Sequence, residues 1–95
     1  MAISHRADEA LRFAAGYFNE DWGMDYASWS EAIAAFVAEQ SGRDGDLALG
    51  FEELLALDDV ALAQAVDSWG IPDDPRLGAS PREFVKRLLV ATRGG

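Results

Sequence analysis

Two helix starts can be read directly from this chain, at Ser28 and at Ser80, and they restrict the fold more than any other feature. Each serine is followed three positions later by a glutamate. This is the capping-box pattern, in which the hydroxyl accepts a first-turn N–H and the carboxylate reaches back. Pro81 occupies the first helical position after Ser80, where proline is favoured. Apolar residues then recur at the spacing of an amphipathic helix. The pattern predicts helices from residue 28 to about residue 40 and from residue 80 onwards.

The same apolar spacing predicts three further helices, from Ser4 or Asp8 to Ala15, over about Phe51–Leu57, and from Asp58 or Asp59 to Trp69. Polar segments with glycine or proline separate them at 41–46 and 71–80, and NEDWG at 19–23 predicts a turn. No segment alternates in the manner of a β-strand. Ninety-five residues are enough for one hydrophobic core. We therefore predict an all-α fold, a single compact domain over residues 1–95 of four to five short helices in an irregular bundle.

The charge of the chain is acidic and unevenly distributed. The net charge is −9. Residues 1–75 carry sixteen acids and three bases, whereas residues 76–95 carry one acid and five bases. An acidic body repels nucleic acid and anionic lipid and favours a basic protein partner. Net charge of this size also keeps a small protein soluble, which is the simpler interpretation.

The residue types needed for common catalytic and metal sites are scarce. There is no cysteine, and the only histidine, His5, is near the N-terminus, where we expect it to be solvated. Asp44-Gly45-Asp46 resembles the opening of a calcium loop, but Leu49 and Leu55 stand where the glycine and the bidentate glutamate belong. No signal peptide or membrane span is evident. We predict a cytoplasmic protein that is not an enzyme and has no cofactor and no metal.

The richest stretch is 17–29, YFNEDWGMDYASW, which holds five of the ten aromatic residues of the chain and three acids. Rings in this number are normally mostly buried, so we expect the stretch to fold as a structured corner between two helices. The acids Glu20, Asp21 and Asp25 then point outward. They either bond local backbone or form an acidic docking edge, and both interpretations are compatible with buried rings.

The segment 17–36, YFNEDWGMDYASWSEAIAAF, resembles the signature of the immunity proteins of contact-dependent growth inhibition systems, in particular the small helical CdiI group. The similarity consists of an aromatic pair, an Asp-Trp step, an Asp-Tyr step, and a helix with Glu-Ala and a buried phenylalanine. The aromatic residues of this motif are Tyr17, Phe18, Trp22, Tyr26, Trp29 and Phe36. Residues 51–71 are similar to the middle helices of the family, and residues 80–89 are similar to its last helix.

The resemblance implies function by binding. Such proteins bind and block the toxin domain of an effector delivered by a neighbouring bacterium, and many of those toxins are basic nucleases. The expected partner is a cognate C-terminal toxin domain, with no nucleic acid or membrane bound, and the free protein is expected to be a monomer or weak dimer. The expected contact residues are Glu20, Asp21, Asp25, Glu52, Glu53, Asp58 and Asp59. The alternatives are an acidic adaptor or structural subunit of a larger assembly, and a small metal-dependent enzyme or calcium sensor.

Overall fold

The computed structural model describes residues 4–40, 42–72 and 74–94 of the chain. It contains six helices, which are α1 (His5–Ala15), α2 (Trp22–Asp25), α3 (Trp29–Glu39), α4 (Asp44–Leu55), α5 (Asp59–Ser68) and α6 (Pro81–Gly94). Within those three ranges there is no β-strand. The predicted all-α fold is therefore confirmed, and each of the five predicted helical regions is present.

Side-chain caps begin the helices where the sequence predicts them. The Ser28 hydroxyl accepts the Glu31 N–H at 3.3 Å, and the Ser80 hydroxyl accepts the Glu83 N–H at 3.2 Å. The Glu31 carboxylate reaches back one residue beyond the cap, to the N–H of Ala27 at 2.7 Å. The sequence leaves Asp58 and Asp59 as alternative starts of α5. The structure shows that Asp58 is the cap, since its carboxylate accepts the Ala61 N–H. These contacts satisfy first-turn donors that have no partner inside the helix.

Helix α4 begins about seven residues earlier than the sequence predicts. Residues 44–46 were expected to be loop because of their polar, glycine-bearing character, but they form the first turn of the helix. The reason is tertiary packing: Leu47, Phe51 and Leu54 are all buried at helical spacing. Gly50 also lies on this buried face, where α1 passes close to it. Ser41, predicted to end the preceding helix, lies outside the described residues.

Helix α2 is a single helical turn that overlaps the segment 19–23, which the sequence predicts to be a non-helical turn. It begins after Asp21, and Trp22 is its only buried residue, at 2% exposure. Four residues are too few to form an isolated helix in water, so the burial of Trp22 must hold this turn in place.

The helices pack around α4 and α6. Helix α4 packs against α1 and α6, while α3 and α5 both pack against α6. The side of α1 that meets the core carries small residues, with Ala7, Ala10 and Ala14 all buried. The Cα radius of gyration is 12.0 Å, close to the value of about 12 Å expected for a compact chain of this length. No helix within the described ranges is long and apolar enough to span a membrane.

Candidate protein-binding surface

The aromatic residues of the 17–36 segment form one cluster at the junction of α1, α2, α3 and α6. Phe18 lies at its centre and is fully buried. Its ring centroid is 5.0 Å from that of Trp29, in a stacked arrangement, and 5.5 Å from that of Phe84, edge to face. Tyr17 meets Phe36 edge to face at 5.4 Å. Tyr26 is half-buried beside Tyr17. The rings join four helices, so the corner has a fixed shape.

Trp22 attaches α2 to the segment that precedes α6. Its indole N–H donates to an Asp74 carboxylate oxygen at 3.3 Å, and the Arg76 guanidinium carbon lies 4.7 Å from its ring centroid. Arg76 also donates to Asp74 at 2.7 Å. A cation over an indole face and an indole N–H on a carboxylate are both favourable contacts. No local sequence pattern points to Asp74 or Arg76, because the bond from Trp22 to Asp74 joins residues 52 positions apart.

The same contacts change the acidity of Asp74. Hydrogen bonds from the Arg76 side chain are the largest effect, and they lower the pKa of the Asp74 carboxyl from 3.8 to about 2. A backbone N–H bond from Arg76 acts in the same direction. The carboxylate in turn raises the pKa of the Arg76 guanidinium. Both groups are therefore charged at neutral pH, and the link between α2 and the 74–77 turn persists there.

The outer side of this corner carries acids that form no ion pair within the described residues. Glu20, Asp21 and Asp25 are all exposed, and none of them forms an ion pair with a base in the described ranges. Met24 lies between the two aspartates and is 85% exposed. Trp22 anchors the turn on which Met24 and Asp25 are exposed. An exposed apolar side chain next to acids suits a protein partner with basic residues.

The predicted contact acids of the middle helices are largely engaged within the chain. Glu52 forms an ion pair with Arg93. Asp59 forms one with Arg82 at 2.7 Å, and Asp58 serves as the cap of α5. Of these four acids, only Glu53 is exposed while its carboxylate forms no ion pair and accepts no hydrogen bond from another described residue. A partner that used Glu52 or Asp59 would have to compete with these internal pairs.

Arg82 is a partly buried base of α6. Its side chain is only 29% exposed. Its guanidinium donates to the main-chain oxygens of Leu55 and Leu57, at 2.8 and 2.6 Å. It thereby satisfies the carbonyl of Leu55, the last residue of α4, and that of Leu57 in the turn that follows. The structure thus uses this base to join α4, α5 and α6.

The two groups of predicted contact acids belong to different elements of the fold. The first group lies on the corner fixed by Trp22, and the second lies along α4 and α5. Among the described residues, the predicted contact acids whose carboxylates form no ion pair or hydrogen bond are the three of the corner and Glu53 on α4.

The remaining candidate residues are separate from this corner. His5 is exposed, with its Nε2 atom 3.6 Å from a Glu9 carboxylate oxygen. The Asp44 side chain lies outside what the structure describes, and Asp46 is exposed on the first turn of α4. Within the described ranges, no group of three or more histidine or carboxylate side chains is arranged to hold a metal ion.

Comparison of the chain with protein-family profiles, with curated proteins and with solved structures found no match.

Proposed function

We propose that this protein is an acidic, non-catalytic inhibitor that binds a basic protein toxin, as the resemblance to immunity proteins implies. The observation that carries the proposal is the corner at α2, where Glu20, Asp21, Met24 and Asp25 are all exposed, on or next to a turn anchored by Trp22. The bases of residues 76–93 support it indirectly. Arg76, Arg82 and Arg93 pair with acids of the same chain, which leaves the corner acids free for a partner.

Acidic charge of this kind would act chiefly on the rate of capture. A net charge of −9 attracts a basic enzyme over distances comparable to the Debye length, and such steering raises association rates by about 10- to 1,000-fold. An inhibitor of a lethal enzyme benefits from speed as well as affinity. Carboxylates on a basic nuclease surface would also occupy positions that substrate phosphates use.

The test is binding to the toxin-like domain encoded beside the gene for this protein. The two are co-expressed, and survival of the cells and co-elution on gel filtration are measured. We expect a stable one-to-one complex and protected cells. Continued killing together with the absence of a complex would refute the proposal. Elution of the free protein as a stable oligomer at micromolar concentration would favour the adaptor alternative.

Charge-reversal variants distinguish the contribution of the corner acids to the association rate from that of the overall net charge. The variant Asp21→Lys with Asp25→Lys should slow association by roughly tenfold at low salt while leaving thermal stability unchanged. Glu39→Lys with Asp46→Lys is the matched control, since it changes net charge equally at exposed positions outside the corner. Equal slowing in both variants would show that only net charge matters and would remove the corner from the contact surface.

A further inference from the structure

A groove of about 480 Å³ opens between α5, the segment after it, and the start of α6. Its floor consists of apolar side chains that are at most 5% exposed, namely Val66, Ile71, Leu77 and Phe84. The volume is within the range of about 300–1,000 Å³ typical of sites that bind small ligands or anchor side chains. The groove can therefore accept a large apolar side chain without rearrangement of its floor.

The charged groups at the groove are acidic. Asp67 and Asp74 line it, and no lysine or arginine does so among the residues that the structure describes. Asp74 is neutralised by Arg76, but Asp67 is exposed and forms no ion pair with a described base. A cation beside the apolar anchor would find a carboxylate at Asp67, whereas an anion there would be repelled. The charge thus favours a basic occupant.

The groove adjoins the acidic corner. Asp74 lines the groove and also accepts the indole N–H of Trp22, the buried residue of α2. Asp21 directly precedes Trp22, and Asp25 ends the same turn. One hydrogen bond therefore connects the wall of the groove to the turn that carries the corner acids. A single partner segment could contact both.

We propose that the groove is the anchor site for the protein partner, and that it receives a large apolar or aromatic side chain flanked by lysine or arginine. The inference rests on the proposed function and adds to it the chemistry of the segment that is recognised. In interfaces of this kind, a buried aromatic anchor supplies most of the affinity. The surrounding charges raise the association rate and fix how the partners are aligned. The corner acids then contact basic residues beside the anchor.

Two short peptides test the chemistry of the groove without the natural partner. Acetyl-Lys-Trp-Lys-amide and acetyl-Glu-Trp-Glu-amide share the same anchor and carry flanking residues of opposite charge. Each is titrated into the ¹⁵N-labelled protein. We expect the basic peptide to bind at least tenfold more tightly and to shift the amide signals of Gln64, Asp67 and Leu77 most. Equal affinity for the two peptides, or shifts spread evenly over the acidic surface, would overturn the inference.

A pair of variants separates the groove from general attraction to an acidic protein. Ala63→Phe adds a ring to the α5 wall of the groove, whereas Ala38→Phe adds the same ring at an exposed position on α3. We expect Ala63→Phe to lower the affinity for the basic peptide at least tenfold and Ala38→Phe to leave that affinity unchanged. Thermal unfolding of both variants confirms that they are folded. Unchanged affinity in Ala63→Phe would overturn the inference.

The same variants distinguish failure of the inference from failure of the proposed function. Binding of the toxin domain to the native protein supports the proposed function. If that binding is equal in Ala63→Phe, the partner does not use the groove and only the inference fails. If the toxin domain does not bind the native protein at all, the proposed function fails, and the inference about its partner fails with it.

Discussion

Replacement of Gly50 by alanine tests the reasoning about how α1 and α4 meet. A methyl group at this position would lie 2.6 Å from the main-chain oxygen of Arg6 and 2.8 Å from the Cβ atom of Ala10. Both atoms belong to the rigid part of α1, so neither can turn aside as a flexible side chain would. Helix α1 would have to move away from α4, and this would loosen the contacts of its buried alanines.

The expected magnitude follows from two opposing terms. Overpacking of a close interface costs about 1–3 kcal/mol, and two contacts below 3.0 Å place Gly50→Ala near the upper end. Alanine in a helix interior gains about 1 kcal/mol over glycine. The net loss in the free energy of unfolding is therefore about 2 kcal/mol. In a domain of this length it corresponds to a fall in Tm of about 8–16 °C.

Gly45 provides a matched control in the same helix. A Cβ atom added there meets no heavy atom within 4 Å, and the position is exposed. Gly45→Ala should gain about 0.5 kcal/mol, because the unfolded chain loses conformational freedom. Thermal and urea unfolding followed by circular dichroism would measure both variants. If Gly50→Ala is as stable as Gly45→Ala, α1 and α4 are not in the close contact described above.

Two further predictions concern the arginines that join distant segments. Arg76→Met should raise the pKa of Asp74 from about 2 toward 3.8, as measured by carboxyl carbon NMR shifts. Because the folded pKa lies below the unfolded one, the native pair contributes its full stability above about pH 4, and this contribution is lost as the pH falls toward 2. Arg82→Met should lower the free energy of unfolding by about 1–3 kcal/mol, because carbonyls at the end of α4 lose their donors. A loss below about 0.5 kcal/mol in urea unfolding would show that water replaces them.

Sequence reasoning succeeded where structure is determined by neighbouring residues. The caps at Ser28, Asp58 and Ser80 each act over three residues, and all three begin helices as predicted. The buried face of α1 likewise follows from the spacing of its apolar residues. Such signals depend only on local geometry, which explains why the fold class could be predicted.

Sequence reasoning was incomplete where distant residues decide the outcome. The predicted start of α4 is too late, because the polar, glycine-bearing segment 41–46 indicates a loop whereas the packing of Leu47 and Phe51 extends the helix through residues 44–46. The pairing of Arg82 with Asp59 and the bond from Trp22 to Asp74 were also missed, because no local pattern encodes which distant partner a charge will find. For the candidate site, local patterns select both groups of acids, but they do not show that Glu52 and Asp59 form ion pairs within the chain.

The placement of the three tryptophans makes their fluorescence a probe of particular contacts in the fold. The indole of Trp22 joins α2 to Asp74. The indole of Trp69, just after α5, donates to Asp8 at the start of α1, with a nitrogen-to-oxygen distance of 3.1 Å. Trp29 stacks within the aromatic cluster that contacts α6. Trp69 therefore lies at a different junction from Trp22 and Trp29, which both contact Phe18. A variant that keeps only Trp69 would report on the junction of α1 and α5, and one that keeps only Trp22 would report on the wall of the groove.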